Sequence, residues 1–477
     1  MISPIPISGE TIDHKGSFRS AYIWMSASAG ALGGLLFGYD WVVIGGAKPF
    51  YERYFQLDSP SLEGWAMSCA LIGCLIGAVS SGVLSNRFGR KRLLTLAAIV
   101  FAASSLGTGL ASHFTLFVTW RMVGGCAIGL ASGISPMYIA EISPAHLRGR
   151  LVSLNQLAIV FGILLAQMVN WLIARPVPPG ATAHEILVSW NGQWGWRWMF
   201  AVTAVPSMLF LVATFLVPES PRWLAATGRH QQALRVLERL GGQAYAKQVT
   251  NDFAAATQLH PDRPMFRELF SPGMVRVLVL AVVLAVLQQW CGINVIFNYA
   301  QEIFVAAGYQ VSDILFNIVI TGAVNVVFTL IALAAIDRYG RRFLLLTGVS
   351  GLVILYTILG AFYHLHIQGK PMLVLVLAAI ACYAMSLAPA TWVVIAEIFP
   401  NRMRSGAVSI AVTALWTACF LLTYTFPLLN AALGAAGTFW TYAAICLAGF
   451  LFLYFRLPET KGRTLEEIET DLRTSKS

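Results

Sequence analysis

Asp40 and Arg121 stand out as ionisable residues set well inside long apolar stretches of the sequence. Each lies about 7 residues, or roughly 10 Å at 1.5 Å per residue, below the same predicted membrane surface, so the two side chains can pair. Burial disfavours a charged carboxylate and a neighbouring arginine favours it. A conformational change that alters their contact would therefore load and unload a proton. The alternative is a structural ion pair that fixes one packing arrangement, although a buried pair is weak evidence for stability.

Amide side chains within apolar stretches form a second group of candidate residues. Gln288 and Gln289 are adjacent in such a stretch, and Asn294 follows. On an ideal helix these three residues share no face, but Gly292 could break the helix between them, as in the discontinuous helices of transporter sites. Amides that both donate and accept hydrogen bonds suit the hydroxyl groups of a sugar. A single amide such as Asn325 is equally consistent with a hydrogen bond between helices.

Charged motifs that occur twice indicate that the chain is an internal repeat. Ile-Ala-Glu-Ile-Ser-Pro at 139–144 recurs as Ile-Ala-Glu-Ile-Phe-Pro at 395–400, and Asn-Arg-Phe-Gly-Arg-Lys at 86–91 recurs as Asp-Arg-Tyr-Gly-Arg-Arg at 337–342. Parallel repeats of this kind build transporters with a site between the halves near the bilayer midplane. Their charged residues are either a solvated loop face of little energetic value or a cytoplasmic gating network. We expect the network, comprising Arg87, Glu141, Arg148, Glu219, Asp337, Arg338, Glu397, Arg404 and Glu459.

The composition requires that these residues be held by helices in a membrane. Hydrophobic residues make up 57% of the 477 residues and charged residues only 11%, against about 25% charged in a soluble domain. This excludes a soluble protein, a disordered chain, collagen and a coiled coil. At about 20 apolar residues per crossing, the sequence predicts twelve membrane-spanning helices. They lie at 21–47, 64–86, 93–112, 114–139, 151–174, 196–217, 273–300, 312–336, 343–364, 371–396, 405–430 and 436–456.

The basic residues predict the orientation of these spans. With the N-terminus inside, 25 of the 32 Lys and Arg residues fall on the cytoplasmic side and five, including Lys48, fall outside, which places both termini in the cytoplasm. The net charge of +10 is therefore a topology signal and does not indicate a nucleic-acid surface. The expected organisation is a cytoplasmic N-terminal tail (1–20), a six-helix bundle (21–217), a cytoplasmic linker with short helices (218–272), a second six-helix bundle (273–456) and a cytoplasmic C-terminal tail (457–477).

Signatures of catalysis and metal binding are absent from the sequence. It contains no GxxxxGK[ST], HExxH or GxSxG pattern, so neither an ATPase engine nor a hydrolase is predicted. The seven cysteines lie in apolar stretches without a CxxC pair, as expected of small buried hydrophobes. We therefore expect no enzyme activity, no cofactor and no metal. The glycines at 125, 129 and 133 form a small-residue stripe for close helix packing.

The motifs together resemble the sugar porters of the major facilitator superfamily. The resemblance covers about residues 20–470 and is greater to bacterial proton-coupled xylose symporters than to animal glucose facilitators. It rests on Asn-Arg-Phe-Gly-Arg-Lys-Arg at 86–92, Arg-x-x-Gly-Gly-x-x-x-Gly from 121, Pro-Met-Tyr-Ile-Ala-Glu at 136–141, Pro-Glu-Ser-Pro-Arg-Trp-Leu at 218–224, Gln-Gln-Trp-Cys-Gly-Ile-Asn at 288–294, Asp-Arg-Tyr-Gly-Arg-Arg at 337–342 and Pro-Glu-Thr-Lys-Gly at 458–462.

The resemblance implies a role for particular side chains. It implies sugar contacts by Gln156, Gln288, Gln289, Asn294 and Trp392, a pocket wall at Phe37, proton coupling at Asp40 and Arg121, and a cytoplasmic network that holds helix ends together in the outward-open state. Facilitators of the family carry a neutral amide where Asp40 stands. Three positions depart from the xylose symporters, namely Ile163, Asn298 and Leu415. These departures weaken the prediction that the ligand is xylose more than they weaken the prediction that it is a sugar.

The sequence therefore predicts an all-α transporter of twelve spans that imports a pentose or hexose with a proton by alternating access. We expect it to work as a monomer in the bacterial inner membrane, with the sugar, the proton and the lipid bilayer as its partners. Two other functions remain open: a sugar uniporter, which Asp40 disfavours, and a proton-coupled symporter for a polyol such as inositol. A non-transporting sugar sensor is a remote alternative, because only about 20 residues follow Arg456 and sensors of this kind usually carry a long cytoplasmic tail.

Overall fold

The computed structural model describes residues 18–178, 180–259, 269–309, 311–399 and 401–459, and these residues contain helices but no strands. The N-terminal bundle comprises α1 (Ser20–Phe55), α2 (Pro60–Phe88), α3 (Arg90–Gly109), α4 (Phe114–Ile142), α5 (Arg148–Ile173), α6 (Ala183–Val188), a π-helical turn (Asn191–Gly195), α7 (Trp196–Ala201) and α8 (Ala204–Leu216). The linker helices are α9 (Pro221–Ala226) and α10 (His230–Leu259). The C-terminal bundle comprises α11 (Pro272–Trp290), α12 (Ile293–Asn298), α13 (Ala300–Ala306), α14 (Val311–Tyr339), α15 (Arg341–His364), α16 (Lys370–Met385), α17 (Leu387–Glu397) and α18 (Asn401–Arg456).

Twelve crossings are present, as the sequence predicted. Eleven helical stretches in the described residues are long and apolar enough to span a bilayer, and the last of them runs over 51 residues from Gly406 to Arg456. A single crossing needs only about 20 residues. The long stretch is broken at Gly434, whose φ of 68° and ψ of 176° are not helical, so it supplies two crossings. This glycine lies in the gap between the predicted spans 405–430 and 436–456, and Pro427 is inside the helix before it.

The first helix is longer than its predicted span of 21–47. It continues to Phe55 and ends where Gln56 takes a left-handed conformation with φ 54°. Lys48 and Glu52, which the sequence analysis placed in an outer loop, are therefore helical. We call the end of the molecule at which α1 begins the inner end, and the end at which α1 finishes the outer end.

The glycine stripe predicted on α4 packs against α2. A Cβ at Gly125 would stand 1.9 Å from the carbonyl oxygen of Ala70, and one at Gly129 would stand 2.1 Å from that of Cys74. Neither position can accept a side chain unless a backbone moves. The prediction of close helix packing by small residues is confirmed, and this contact holds α4, with Arg121, against α2.

The two bundles meet along a seam whose closest contacts lie toward the outer end. On one side, a Cβ at Gly64 of α2 would stand 2.4 Å from the carbonyl oxygen of Tyr424 on α18. On the other, the rings of Trp171 (α5) and Phe316 (α14) are 5.7 Å apart. At the inner end the linker packs under the N-terminal bundle, where the ring of Phe18 lies 5.1 Å from that of Tyr245. The outer end of the seam is therefore closed in this conformation.

Candidate functional site: a cavity between the bundles

A cavity of about 110 Å³ lies on the seam, walled by residues of both bundles. This is several times the roughly 10–15 Å³ that one water needs. A larger cleft of about 520 Å³ opens on the loop around Arg175 and Asn191. That cleft lies on a single bundle and contains none of the amides predicted to bind a ligand. We assign the seam cavity as the candidate site because several of those amides line it together.

Five of the seven predicted sugar-contact residues line the seam cavity. These are Phe37 on α1, Gln156 on α5, Gln289 and Asn294 on either side of a helix break, and Asn325 on α14. Four of them are amides, which both donate and accept hydrogen bonds. Their convergence on one cavity from both bundles is the geometry that a polyhydroxylated ligand requires.

Gly292 produces the helix break that the sequence analysis expected. The α11 helix ends at Trp290, Gly292 adopts φ 83°, and α12 begins at Ile293. An L-residue rarely adopts this φ, and a Cβ here would also stand 2.9 Å from the ring of Tyr442. The break changes the phase of the helix, so the Asn294 amide donates to Oε1 of Gln289 although an unbroken helix would separate them. The discontinuous helix is confirmed.

Gln288 differs from its neighbour because it does not line the cavity. Its Nε2 lies 3.2 Å from the carbonyl oxygen of Leu387 and 3.3 Å from that of Ala388. These carbonyls stand at a second break, where Ser386 separates α16 from α17. Gln288 therefore ties the two broken helices together and accepts a hydrogen bond of 3.3 Å from Gln289. It positions Gln289 rather than presenting an amide to the cavity.

Trp392 was the aromatic residue expected to cover the sugar, but other aromatic residues line the cavity. Trp392 is half-buried on α17 and packs against the apolar core. The cavity is lined instead by Trp41, Tyr383 and Trp416, together with Phe37. Trp416 of α18 lies 5.7 Å from the ring of Phe37 and 6.2 Å from that of Trp41, both on α1. Sequence reasoning missed Trp41 although it stands one helical turn after Phe37 on the same face.

The predicted pairing of Asp40 and Arg121 is present. Nη1 of Arg121 lies 2.8 Å from each carboxylate oxygen of Asp40, and the two residues are 6% and 4% exposed. The guanidinium also lies over the ring of Phe200, 5.4 Å from its centroid. Charge-assisted contacts of this length are strong in a buried site. Since Phe37, Gly38 and Trp41 line the cavity, Asp40 is on the cavity-lining helix but turned toward α4.

The charged network at the inner end uses a different arginine from the one predicted. In the N-terminal bundle Glu141 is held by Arg90, with Nε to Oε2 at 2.9 Å and Nη2 to Oε1 at 3.0 Å. Arg87, which the sequence analysis included in this network, is exposed, and its guanidinium lies over the ring of Phe88. Arg90, which it did not include, holds Glu141. In the repeated motif Arg90 matches Arg341.

The C-terminal bundle repeats the same arrangement. Arg341 Nη2 lies 3.2 Å from Glu397 Oε1, and its Nη1 donates to the carbonyl oxygen of Ile336 at 3.3 Å, as that of Arg90 donates to Ser85 at 3.0 Å. Both ion pairs join helices of one bundle, so in this conformation they stabilise each bundle rather than tie the two together. Arg338 lies over the ring of Tyr339, Arg148 is exposed at the start of α5, and the side chains of Asp337 and Arg404 lie outside the described residues.

Glu219 and Glu459 cap the N-termini of two helices. Glu219 Oε1 accepts from the backbone N–H groups of Arg90 and Lys91 at 2.9 and 3.0 Å, and Glu459 accepts from those of Arg341 and Arg342 at 3.1 and 3.2 Å. A carboxylate at a helix N-terminus satisfies unpaired donors and the helix dipole. The two repeated Pro-Glu motifs thus anchor the start of α3 and α15.

Within the described residues a single group of three carboxylates is close enough to share a metal ion, namely Glu52, Glu63 and Glu302. The ammonium of Lys48 already lies among them, 2.7 Å from Glu52 and 3.3 Å from Glu63. The group stands at the outer end, away from the seam cavity. The cation that these carboxylates hold is therefore the ammonium of Lys48.

Comparison with known proteins agrees with this architecture. The family model described as "Sugar (and other) transporter" matches residues 27–472. The chain is 38% identical to the D-xylose-proton symporter of Escherichia coli K12, covering 95% of this chain and 96% of the relative. It is 37% identical to the arabinose-proton symporter of Bacillus subtilis, with coverage of 95% and 96%. An inward-open structure of the E. coli xylose transporter superposes with a TM-score of 0.82 at 37% identity, covering 94% of this chain and 99% of that one.

The match extends over nearly the whole chain, including both bundles and the seam between them. The relatives named are carriers, and the described residues form the twelve-span helical fold that carriers of the major facilitator superfamily share. The chain belongs to the sugar transporter family of the major facilitator superfamily, and it is a multi-pass membrane transporter rather than an enzyme.

Proposed function

We propose that the chain imports a monosaccharide together with a proton by alternating access. The observation that carries this proposal is the buried ion pair of Asp40 and Arg121 on the helix that also walls the amide-lined cavity. One helix then bears both the ligand wall and the ionisable group. A movement of α1 that accompanies ligand binding would change the contact between the two charges.

The lining of the cavity supports a sugar as the ligand. Gln156, Gln289, Asn294 and Asn325 offer paired donors and acceptors, and the aromatic faces of Trp41 and Trp416 stand against them. Sugar rings present hydroxyl groups at their edge and C–H groups on their face, so they match this combination. The relatives are named for xylose and arabinose, both of which are monosaccharides.

The ion pair supports proton coupling. In the outer-closed conformation both oxygens of Asp40 are engaged by Arg121, which is the arrangement of an ionised carboxylate. A protonated carboxyl is neutral and would hold the guanidinium of Arg121 more weakly. A movement that withdraws Arg121 would therefore favour loading of a proton, and restoring the pair would favour its release. This is the cycle that a proton symporter needs.

The rim of the cavity leaves the choice among sugars and polyols open. Ile163 and Leu415, two of the positions that depart from the xylose symporters, both line the cavity. Asn298, the third, is buried near the outer end of the seam. Two apolar residues on the rim remove hydrogen bonds that a polar amide would make, so a ligand other than xylose is expected. A uniporter is disfavoured by the pairing of Asp40.

In this proposal the carrier works as a monomer, since one chain supplies every wall of the cavity. It lies in the bacterial inner membrane with both termini in the cytoplasm, as the distribution of basic residues favours. It needs no cofactor. The inner end, at which α1 begins, then faces the cytoplasm.

Replacing Gln289 should weaken sugar binding more than replacing its neighbour Gln288. The Gln289→Ala variant removes an amide that lines the cavity and leaves buried hydroxyl groups of the sugar unpaired, at about 1–3 kcal/mol each, or roughly a five- to 150-fold loss of affinity. Gln288→Ala removes a contact between helices. Its main effect should therefore be a lower Tm, with a smaller loss of sugar affinity than in Gln289→Ala. Sugar affinity by isothermal titration and Tm by fluorescence would separate the two. Equal loss of affinity with unchanged Tm in both variants would contradict the assignment.

Uptake of a panel of labelled sugars into proteoliposomes tests the substrate class. Xylose, arabinose, glucose, galactose and inositol would be offered singly, with and without a pH gradient. At least one monosaccharide should be concentrated when the outside is acidic. Concentration of inositol alone would favour the polyol symporter, and equilibration without concentration would favour the uniporter.

A further inference from the structure

Lys48 is a buried lysine that plays no part in the proposed transport cycle. It lies near the outer end of α1 and is 2% exposed. Its ammonium forms ion pairs with Glu52 at 2.7 Å and Glu63 at 3.3 Å, and with Glu302. A buried charge is tolerated only when it is paired, so the three carboxylates account for the burial of this lysine.

Only one of the three carboxylates belongs to the opposite bundle. Glu52 is on α1 and Glu63 is on α2, in the same bundle as Lys48, whereas Glu302 is on α13 of the C-terminal bundle. The backbones of the two bundles meet one turn away, where a Cβ at Gly45 would stand 2.8 Å from the carbonyl oxygen of Asn298. The ion pair of Lys48 and Glu302 therefore crosses the seam at the point where the outer end is closed.

The charges at this contact do not balance. Lys48, Glu52 and Glu63 together carry a net charge of −1, and closing the seam brings a further carboxylate, Glu302, up to them. Other groups do little to offset this excess. Arg53 is exposed, the ring of Tyr299 lies 5.4 Å from the ammonium, and the α18 residues that wall the adjoining cleft, Phe426, Pro427, Asn430 and Ala431, are not titratable.

This imbalance makes the closed contact sensitive to protons. The attraction of Glu302 to Lys48 is opposed by its repulsion from Glu52 and Glu63, since like charges at this separation interact strongly where water is partly excluded. When a proton binds to Glu52 or Glu63, the net charge of the group formed by Lys48, Glu52 and Glu63 changes from −1 to zero. The closed arrangement therefore binds protons more tightly than the open one, and by linkage protons favour closure.

We propose that Lys48 and Glu302 form an outer gate whose closure is promoted by acid on the outer side. The gate is separate from Asp40, which lies two helical turns further in. The existence of this gate rests on the proposed alternating access of the transporter. It does not depend on which ligand is carried or on proton coupling at Asp40. In an acidic medium the gate would hasten closing after the ligand enters.

Chemical labelling from the outer side tests the gate without any sugar. Asn298 is buried at the seam, so an Asn298→Cys reporter, in a background with the seven native cysteines replaced, reacts with a membrane-impermeant maleimide only when the outer end opens. Glu302→Gln breaks the contact across the seam and should raise the labelling rate several-fold. Glu63→Gln is the matched control, because it removes the same charge within one bundle. It mimics protonation and should lower the rate.

Acidifying the outer medium should also lower the labelling rate of the reporter in the otherwise unaltered carrier. The intrinsic effect of pH on maleimide chemistry is removed by dividing by the rate of His184→Cys, a reporter at an exposed position of α6 at the outer end. Lys48→Gln provides a second way to break the gate and should raise labelling if Glu302→Gln does not fold. An unchanged rate in the folded gate variants would overturn the gate. If Glu63→Gln raised the labelling rate of the reporter as much as Glu302→Gln does, the proposed dependence of the gate on protons would be overturned.

Discussion

The Asp40→Asn variant is expected to exchange sugar across the membrane but to lose the ability to concentrate it. Asparagine is close in shape to a protonated aspartate and carries no charge, so the site is fixed in a loaded-like state. The amides of the seam cavity are unchanged, and sugar binding should therefore survive. Because no proton is bound and released, a pH gradient can no longer do work on the sugar.

The size of this effect is given for the case in which one proton is carried with each sugar. A gradient of one pH unit is worth about 1.4 kcal/mol and drives about a tenfold accumulation of sugar. The ratio of internal to external sugar should therefore fall from about ten in the unaltered carrier to about one in the variant. Sugar counterflow and proton-driven uptake would be recorded side by side in the same vesicles. The control is Asp58→Asn, the same chemical change at an exposed position between α1 and α2. If the Asp40→Asn variant still concentrated sugar under a pH gradient, Asp40 would have a structural role and would not couple protons to transport.

Arg90→Ala is expected to destabilise the N-terminal bundle severely. Arg90 contacts Glu141 through two nitrogens and donates to the carbonyl oxygen of Ser85. Removing it leaves Glu141, whose side chain is largely buried, with the hydroxyl of Ser220 at 2.5 Å as its remaining side-chain partner among the described residues. Breaking a buried ion pair on one side costs about 3–5 kcal/mol, because the remaining charge is left uncompensated.

The matched control for this prediction is Arg87→Ala, three residues earlier in the same motif. Arg87 is exposed and should tolerate the change with less than about 1 kcal/mol of lost stability. Tm in detergent, followed by tryptophan fluorescence, would compare the two variants. Arg90→Lys should fall between them, since lysine cannot reproduce the two-nitrogen contact. Equal Tm values for Arg87→Ala and Arg90→Ala would show that the corrected network does not stabilise the bundle.

Much of the fold could be predicted because bilayer spans are read from local composition. The number of crossings, the small-residue stripe of α4 and the helix break at Gly292 all depend on residues close together in sequence. The pairing of Asp40 with Arg121 was predictable from depth alone. Each charge lies at a similar distance below one surface, and a buried charge requires a partner.

The errors concern contacts that depend on distant parts of the chain. Lys48 was placed outside the predicted span 21–47, yet it is helical, and Glu63 and Glu302 arrive from other helices to pair with it. Gln288 and Gln289 are adjacent, but only the rotation of α11 relative to α17 decides which amide faces the cavity. The position of Trp416 against Phe37 and Trp41 likewise depends on how the two bundles meet across the seam.

Proton movement caused by sugar is the most direct test of proton-coupled import. Vesicles of the purified carrier would be placed in weakly buffered medium without any gradient, and the external pH would be recorded as a transported monosaccharide is added. With proton-coupled import, the medium should become alkaline as sugar and protons enter together, and the Asp40→Asn variant should show no such change while still admitting sugar. Sugar entry by the unaltered carrier without any change of pH would contradict it.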